Sequence, residues 1–246
     1  MTVGSGLLLF AAGVVAGFIN AVAGGGSAVT IPILVEMVGG SVANGTNRVA
    51  ILIANGVASA SYAKGGAVLW RRVWPLIPPA VVGAAAGAVV ASRLDADAMR
   101  RVFGVVLILV AASVALRPSQ WVEGRETSLA EPWRSLVFLG IGFYGGFVQA
   151  GVGFLLLIGL VLGSGFDLVK GNGAKVVLIA SYTIVALPIF LSAGQVDLGL
   201  GLFLAAGNST GALVATRLAL REGAIAWMRW VLVVAAVAAA VRMIVL

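Results

Sequence analysis

Eight apolar stretches of membrane-spanning length, at about 5–23, 47–63, 73–92, 102–117, 134–150, 174–193, 197–216 and 230–246, leave this chain few ways to fold. Twenty helical residues rise about 30 Å, the thickness of a bilayer's hydrocarbon core. A helix satisfies its own backbone donors and acceptors there, so the pattern predicts an all-α integral membrane protein with the lipid bilayer as its solvent. Two shorter runs, Ser27–Val38 and 154–162, are too short to span and read as re-entrant segments or half-helices. Only 10% of the 246 residues are charged, against roughly 25% in soluble domains, so the length does not translate into soluble domains.

The second constraint is duplication. Gly13-x-x-x-Gly17-Phe18-Ile19-Asn20-Ala21 returns as Gly142-x-x-x-Gly146-Phe147-Val148-Gln149-Ala150. Each copy runs into glycines, Gly24-Gly25-Gly26 in one and Gly151-Val152-Gly153 in the other. Gly83-x-x-x-Gly87 followed by Ala91-Ser92-Arg93-Leu94 returns as Gly207-x-x-x-Gly211 followed by Ala215-Thr216-Arg217-Leu218, and Met99-Arg100 as Met228-Arg229. The offset of about 125–130 residues is far longer than a solenoid repeat of roughly 20–50. The expected organisation is a first repeat over 1–117, a polar linker over 118–133 and a second repeat over 134–246. Each half then holds about four long helices and one short broken one. Placing the halves in opposite orientations gathers Lys64, Arg71, Arg72, the linker and Arg217, Arg221 and Arg229 on one face. The positive-inside rule favours that inverted arrangement, which needs an odd net number of crossings per half.

The net charge of +7 does not point to nucleic acid, because the basic residues punctuate apolar segments without forming a patch. They set topology and attract anions. The absence of cysteine excludes disulfides, thiolate metal sites and cysteine nucleophiles; the absence of histidine removes the commonest metal ligand and proton shuttle. No metal or cofactor is expected. No basic residue precedes the first apolar run, so that run is expected to be retained and not cleaved as a signal peptide.

Glycine clusters inside hydrocarbon matter because a broken helix frees polar backbone groups, which must then face protein or a wet cavity. Ser27 after Gly26 reads as the N-cap of the run to Val38, and an open helix N-terminus seats anions. Glycine-interrupted segments at matching places in two halves are the best sequence pointer to a transporter's binding site. The pairs Gly83/Gly87 and Gly207/Gly211 read instead as close helix packing. Asn44-Gly45-Thr46-Asn47-Arg48 and Lys170-Gly171-Asn172-Gly173-Ala174-Lys175 read as the junction between each short run and the next long helix. That places Arg48 and Lys175 in a first helical turn, where the dipole disfavours a cation and an anionic partner explains it. Lys170 reads as an interfacial charge, since the other half has Ala43 there. Asn20 and Gln149 share a repeat position; their NH₂ groups are neutral donors suited to an oxyanion, or to joining helices. No acidic pair recurs between halves, and Glu36 reads as an interfacial carboxylate, so neither a metal site nor a repeated proton relay is expected.

On Gly17-Phe18-Ile19-Asn20-Ala21 leading into Gly24-Gly25-Gly26-Ser27, on Gly45-Thr46-Asn47 before Arg48, and on their counterparts from Gly146 to Lys175, the chain resembles the TauE/SafE family of sulfite and organosulfonate exporters. Gly66-Ala67-Val68 and Gly194-Gln195-Val196-Asp197 look like that family's inter-helix loops. The resemblance implies a multi-pass inner-membrane protein moving small anions such as sulfite or sulfoacetate outward. The expected site is Asn20, Gly24, Gly25, Gly26, Ser27, Asn47 and Arg48 from the first half with Gln149, Gly151, Gly153, Asn172 and Lys175 from the second. No GxxxxGK[ST] motif is present for a built-in ATPase. An intramembrane enzyme acting on a lipid or phosphate, or a passive anion channel, are the alternatives; the first lacks an evident acid, base and activated nucleophile.

Overall fold

The computed structural model describes residues 3–105 and 129–221, together with 223, 224 and 227. The 230–246 stretch, residues 106–117, linker residues 118–128 and the Met228-Arg229 match lie outside the described residues. Every regular element among the described residues is helical. In chain order they are α1 (Val3–Val22), α2 (Ser27–Val38), α3 (Gly40–Lys64) and α4 (Trp70–Ser92). Residues 96–105 begin α5. Then come α6 (Trp133–Phe147), α7 (Val152–Ser164), α8 (Leu168–Ser192) and α9 (Leu198–Ala219). Pro75 sits in a single 3₁₀ turn, Trp74–Leu76, near the start of α4, where its missing N–H costs little.

Helices α4, α8 and α9 are long and apolar enough to cross a membrane. Helix α3 matches α8 in length, 25 residues each, but carries the polar run from Asn44 to Arg48. The two short runs are short helices as expected. The 12 residues of α2 and 13 of α7 each rise about 18–20 Å, well under the hydrocarbon thickness.

Glycine stripes fix how the long helices meet. Gly83 and Gly87 of α4 lie on the carbonyls of Leu139 and Phe143, while Gly142 and Gly146 of α6 lie on those of Ala80 and Ala84. Likewise Gly207 and Gly211 of α9 lie on the carbonyls of Phe10 and Val14, and Gly17 of α1 lies on Asn208. A side chain at any of these places would overlap backbone, so backbones approach as small-xxx-small motifs allow. In both crossings residue numbers rise together. Thus α1 runs parallel to α9, and α6 runs parallel to α4.

These directions define two faces. On one, Ser41 Oγ donates to Leu94 O, Gln195 Nε2 to Ser92 O, and Asp197 N to Thr46 Oγ1. On the other, Arg72 Nη2 donates to Ser164 O, Leu129 N donates to Gly163 O, and Gly173 packs on Ala67. Helices α3, α4, α8 and α9 cross between them. The α1–α2 pair enters from the first face and returns to it; the α6–α7 pair does the same from the second. Outward-pointing Leu7, Trp74, Val82, Leu136, Ile184 and Leu202 are exposed, as a lipid-facing surface requires. The core between the helices is built around Tyr62, Leu76, Phe138, Leu160, Phe166 and Tyr182.

Candidate functional site

Both re-entrant pairs turn at the glycine clusters, and the two turns touch. Helix α1 stops at Val22, and the N–H groups of Ala23 and Gly24 both donate to Ile19 O. Gly24 takes φ 92° and Gly151 φ 73°, a region favoured by glycine. Gln149 adopts φ 67° without being glycine. The Gly24 and Gly153 backbones are in contact, so a Cβ on either would overlap the other. A Cβ on Gly25 would lie 2.5 Å from the Phe154 ring, and Gly26 is packed on Ala16 O.

The start of α2 differs from the sequence expectation. Gly26, not Ser27, is the N-cap, and no side chain of the cap residue bonds there. Ser27 already has its place inside the helix, because Asn20 Oδ1 reaches across the break and accepts the Gly26 N–H at 2.8 Å. Asn20 therefore performs the capping that sequence assigns to Ser27. Ser27 Oγ accepts from Asn47 Nδ2 at 3.4 Å, and Thr30 Oγ1 donates to Asn47 Oδ1 at 2.9 Å. The N–H groups of Ala28 and Val29 donate to Gly25 O and Gly26 O, and that of Phe154 to Gly151 O. Those helix-start amides are already engaged and offer nothing to a solute.

Arg48 and Lys175 also sit elsewhere than expected. The glycine-and-amide stretches do not break the chain: α3 starts at Gly40 and α8 at Leu168, so both cations lie in a third helical turn. Tertiary packing overrides the weak helix propensity of glycine and asparagine. Gly45 accommodates Gln195 O, and Gly173 lets Ala67 O come within 2.6 Å of where a Cβ would stand. The start of α8 is capped by Asp167, whose side chain accepts from Lys170 N, and Lys170 pairs with Asp167 at the surface at 3.1 Å.

The third turn delivers each cation to the end of a broken helix from the other half. Arg48 Nη1 donates to Gly145 O (3.1 Å) and Gln149 Oε1 (2.8 Å), and Nη2 to Gly146 O (2.5 Å) and Asn44 Oδ1 (3.4 Å). Its guanidinium lies over the Phe190 ring at 4.5 Å. Lys175 Nζ donates to Asn20 O (2.8 Å), Ala21 O (3.4 Å) and Asn172 Oδ1 (2.5 Å), while Asn172 Nδ2 donates to Leu168 O. Carbonyls at a helix C-terminus lack intrahelical donors and carry partial negative charge, which a cation stabilises. So Arg48 closes α6 and Lys175 closes α1. Both are fully buried, and neither forms an ion pair with a carboxylate among the described residues.

Three donors at this junction have no partner among the described residues: Asn20 Nδ2, Gln149 Nε2 and Arg48 Nε. The amide oxygens each already accept within the protein, from Gly26 N and from Arg48, so the amide atoms of Asn20 and Gln149 left without a partner among the described residues are their donors. Gly24, Gly25, Gly26, Gly151 and Gly153 form the contacting turns; Ser27, Asn47 and Asn172 brace them. Sequence reasoning missed Asn44, which lies in a quoted motif and also donates to Phe147 O. It also missed the Tyr182 hydroxyl and the Asn208 amide, which are among the other buried groups without partners in the described residues, with the hydroxyls of Ser59, Ser164, Thr183 and Ser209 and the Gln195 amide oxygen. Asn208 was legible only as part of a packing stripe. A separate cavity of about 390 Å³ lies at the second face, lined by Gly65, Gly66, Asp167, Lys170 and Arg221 among others.

Residues 9–243 match the family model described as "Sulfite exporter TauE/SafE". A "Probable membrane transporter protein ORF9" of Sinorhizobium sp is 30% identical over 238 residues, covering 96% of this chain and 91% of that protein. A "Probable membrane transporter protein" of Haemophilus influenzae is 28% identical, over 91% of this chain and 89% of its own length. The "Probable membrane transporter protein YfcA" of Escherichia coli K12 is 30% identical, over 89% and 81%. No solved structure matches the chain.

Proposed function

The chain belongs to the sulfite exporter TauE/SafE family of membrane transporters, and from that premise we propose that it exports a small sulfur-containing anion, sulfite or an organosulfonate, across the inner membrane. It is a multi-pass membrane protein and a transporter, not an enzyme. The anion binds where α1 and α6 break.

The observation that carries this reading is the cluster of donors without partners beside two buried cations that no carboxylate balances among the described residues. A buried charge is costly unless paired, and buried polar groups are ordinarily bonded. An oxyanion supplies both deficits at once: negative charge and acceptor oxygens. A zwitterion such as taurine fits worse, because its ammonium group would meet donors there. The opposed α1–α2 and α6–α7 hairpins fit an inverted repeat of the halves 1–117 and 134–246, and such halves alternate access by rocking around a fixed midplane site. A cytoplasm-negative potential of 100 mV drives a monovalent anion outward by about 2.3 kcal/mol, so the anion's own charge can power export.

Proteoliposome counterflow tests the proposal. Vesicles preloaded with sulfite should take up labelled sulfite saturably at zero potential. Conductance that stays linear with concentration would make the protein a channel.

A further inference from the structure

We propose that the anion is held on the α6–α7 side of the junction, and that the Tyr182 hydroxyl is its third ligand beside Arg48 Nε and Gln149 Nε2. This rests on the reading of the junction as an anion site and assigns the ligands within it.

Counting hydrogens separates the two cations. An ammonium has three N–H donors and a guanidinium five. Lys175 directs its three onto Asn20 O, Ala21 O and Asn172 Oδ1, which exhausts them. Arg48 uses its four terminal N–H groups on Gly145, Gly146, Gln149 and Asn44, and keeps Nε–H. Gln149, bonded to the same guanidinium, keeps its NH₂. Lys175 acts on an anion through its field alone, whereas Arg48 and Gln149 have hydrogens left to give.

The tyrosines divide in the same way. The chain has three. Tyr62 donates to Ala21 O at 3.2 Å, on the Lys175 side, and Tyr144 donates to Ala150 O. Tyr182 is fully buried and its hydroxyl has no partner among the described residues. That hydroxyl stands 2.9 Å from where a Cβ on Gly145 would be, and the carbonyl of that glycine receives Arg48 Nη1. Three unspent donors from α3, the α6–α7 turn and α8 therefore gather around one short stretch, Gly145 to Val152. An unpaired buried donor costs stability, and three together mark a place where acceptors belong.

The test compares Tyr182→Phe with Tyr62→Phe by calorimetric titration of detergent-purified protein with sodium sulfite and sodium sulfoacetate. Both substitutions keep the ring. Tyr182→Phe should weaken anion binding about tenfold, which is about 1.4 kcal/mol, while Tyr62→Phe leaves it within about twofold. Without anion the order reverses: Tyr62→Phe lowers the melting temperature because it breaks a bond to Ala21, and Tyr182→Phe does not. Unchanged affinity in Tyr182→Phe, or an equal loss in both, overturns the assignment. Wild-type protein that binds neither anion removes the site itself, a different result from wild-type binding that Tyr182→Phe leaves intact.

Discussion

Gly24→Ala probes the contact between the two breaks. Gly24 stands at φ 92°, which costs an alanine roughly 1–2 kcal/mol. Its Cβ would also fall on the Gly153 backbone, which cannot rotate away as a side chain can. Overpacking of that kind typically costs about 1–3 kcal/mol, for about 2–5 kcal/mol in all. Gly66→Ala is the matched control. Gly66 has φ 70° and nothing within 4 Å of a built Cβ, so it should lose only the backbone contribution of roughly 1–2 kcal/mol. Gly153→Ala carries the overlap without a positive φ, and so isolates the second contribution. Equilibrium unfolding in mixed micelles measures all three. The double variant Gly24→Ala/Gly153→Ala should cost less than the sum of the singles, since either one already separates the turns. Equal losses for Gly24→Ala and Gly66→Ala, with additive singles, would mean that the breaks are apart and the junction is not built as described.

Other consequences are separable. Gln149→Leu should sharply reduce liposome transport while the protein still inserts and elutes as one species; transport at wild-type rates would make Gln149 a packing group. Asn20→Leu should lose transport too, and also about 0.5–2 kcal/mol of stability, because the Gly26 N–H loses its cap. Lys170→Ala removes an exposed pair with Asp167, so stability should change by no more than about 1 kcal/mol and anion affinity hardly at all. A large affinity loss there would shift attention to the surface cavity that Lys170 lines.

Much of this architecture is legible in the residues, for reasons that also explain what is not. The apolar lengths that demand membrane helices, and the two runs too short to span, follow from bilayer thickness alone. Gly24-Gly25-Gly26 and Gly151-Val152-Gly153 announce breaks because their glycines free the backbone locally. The starts of α3 and α8 are not legible, because Gly45 and Gly173 read as breakers until Gln195 and Ala67 are packed against them. The same glycines make Arg48 and Lys175 read as residues of a first helical turn. They stand at the C-terminal carbonyls of α6 and α1, a pairing between residues 97–155 apart that no local pattern announces. Ser27 looked like a cap because serine follows glycine; the capping oxygen came from Asn20, six residues before Gly26. Tyr182 left no sequence signal at all, being a single tyrosine in an apolar helix whose hydroxyl gains meaning only beside Arg48 and Gly145.

A small oxyanion seated at the touching turns of α1–α2 and α6–α7 can be located directly. Selenite replaces the sulfur of sulfite with a strong anomalous scatterer, and a crystal grown with it reports position without assumption. One buried selenium peak is expected within hydrogen-bonding reach of Gln149 Nε2 and Arg48 Nε. Bound selenium found only elsewhere, for instance in the surface cavity beside Lys170 and Arg221, with the turns closed and empty, would contradict it.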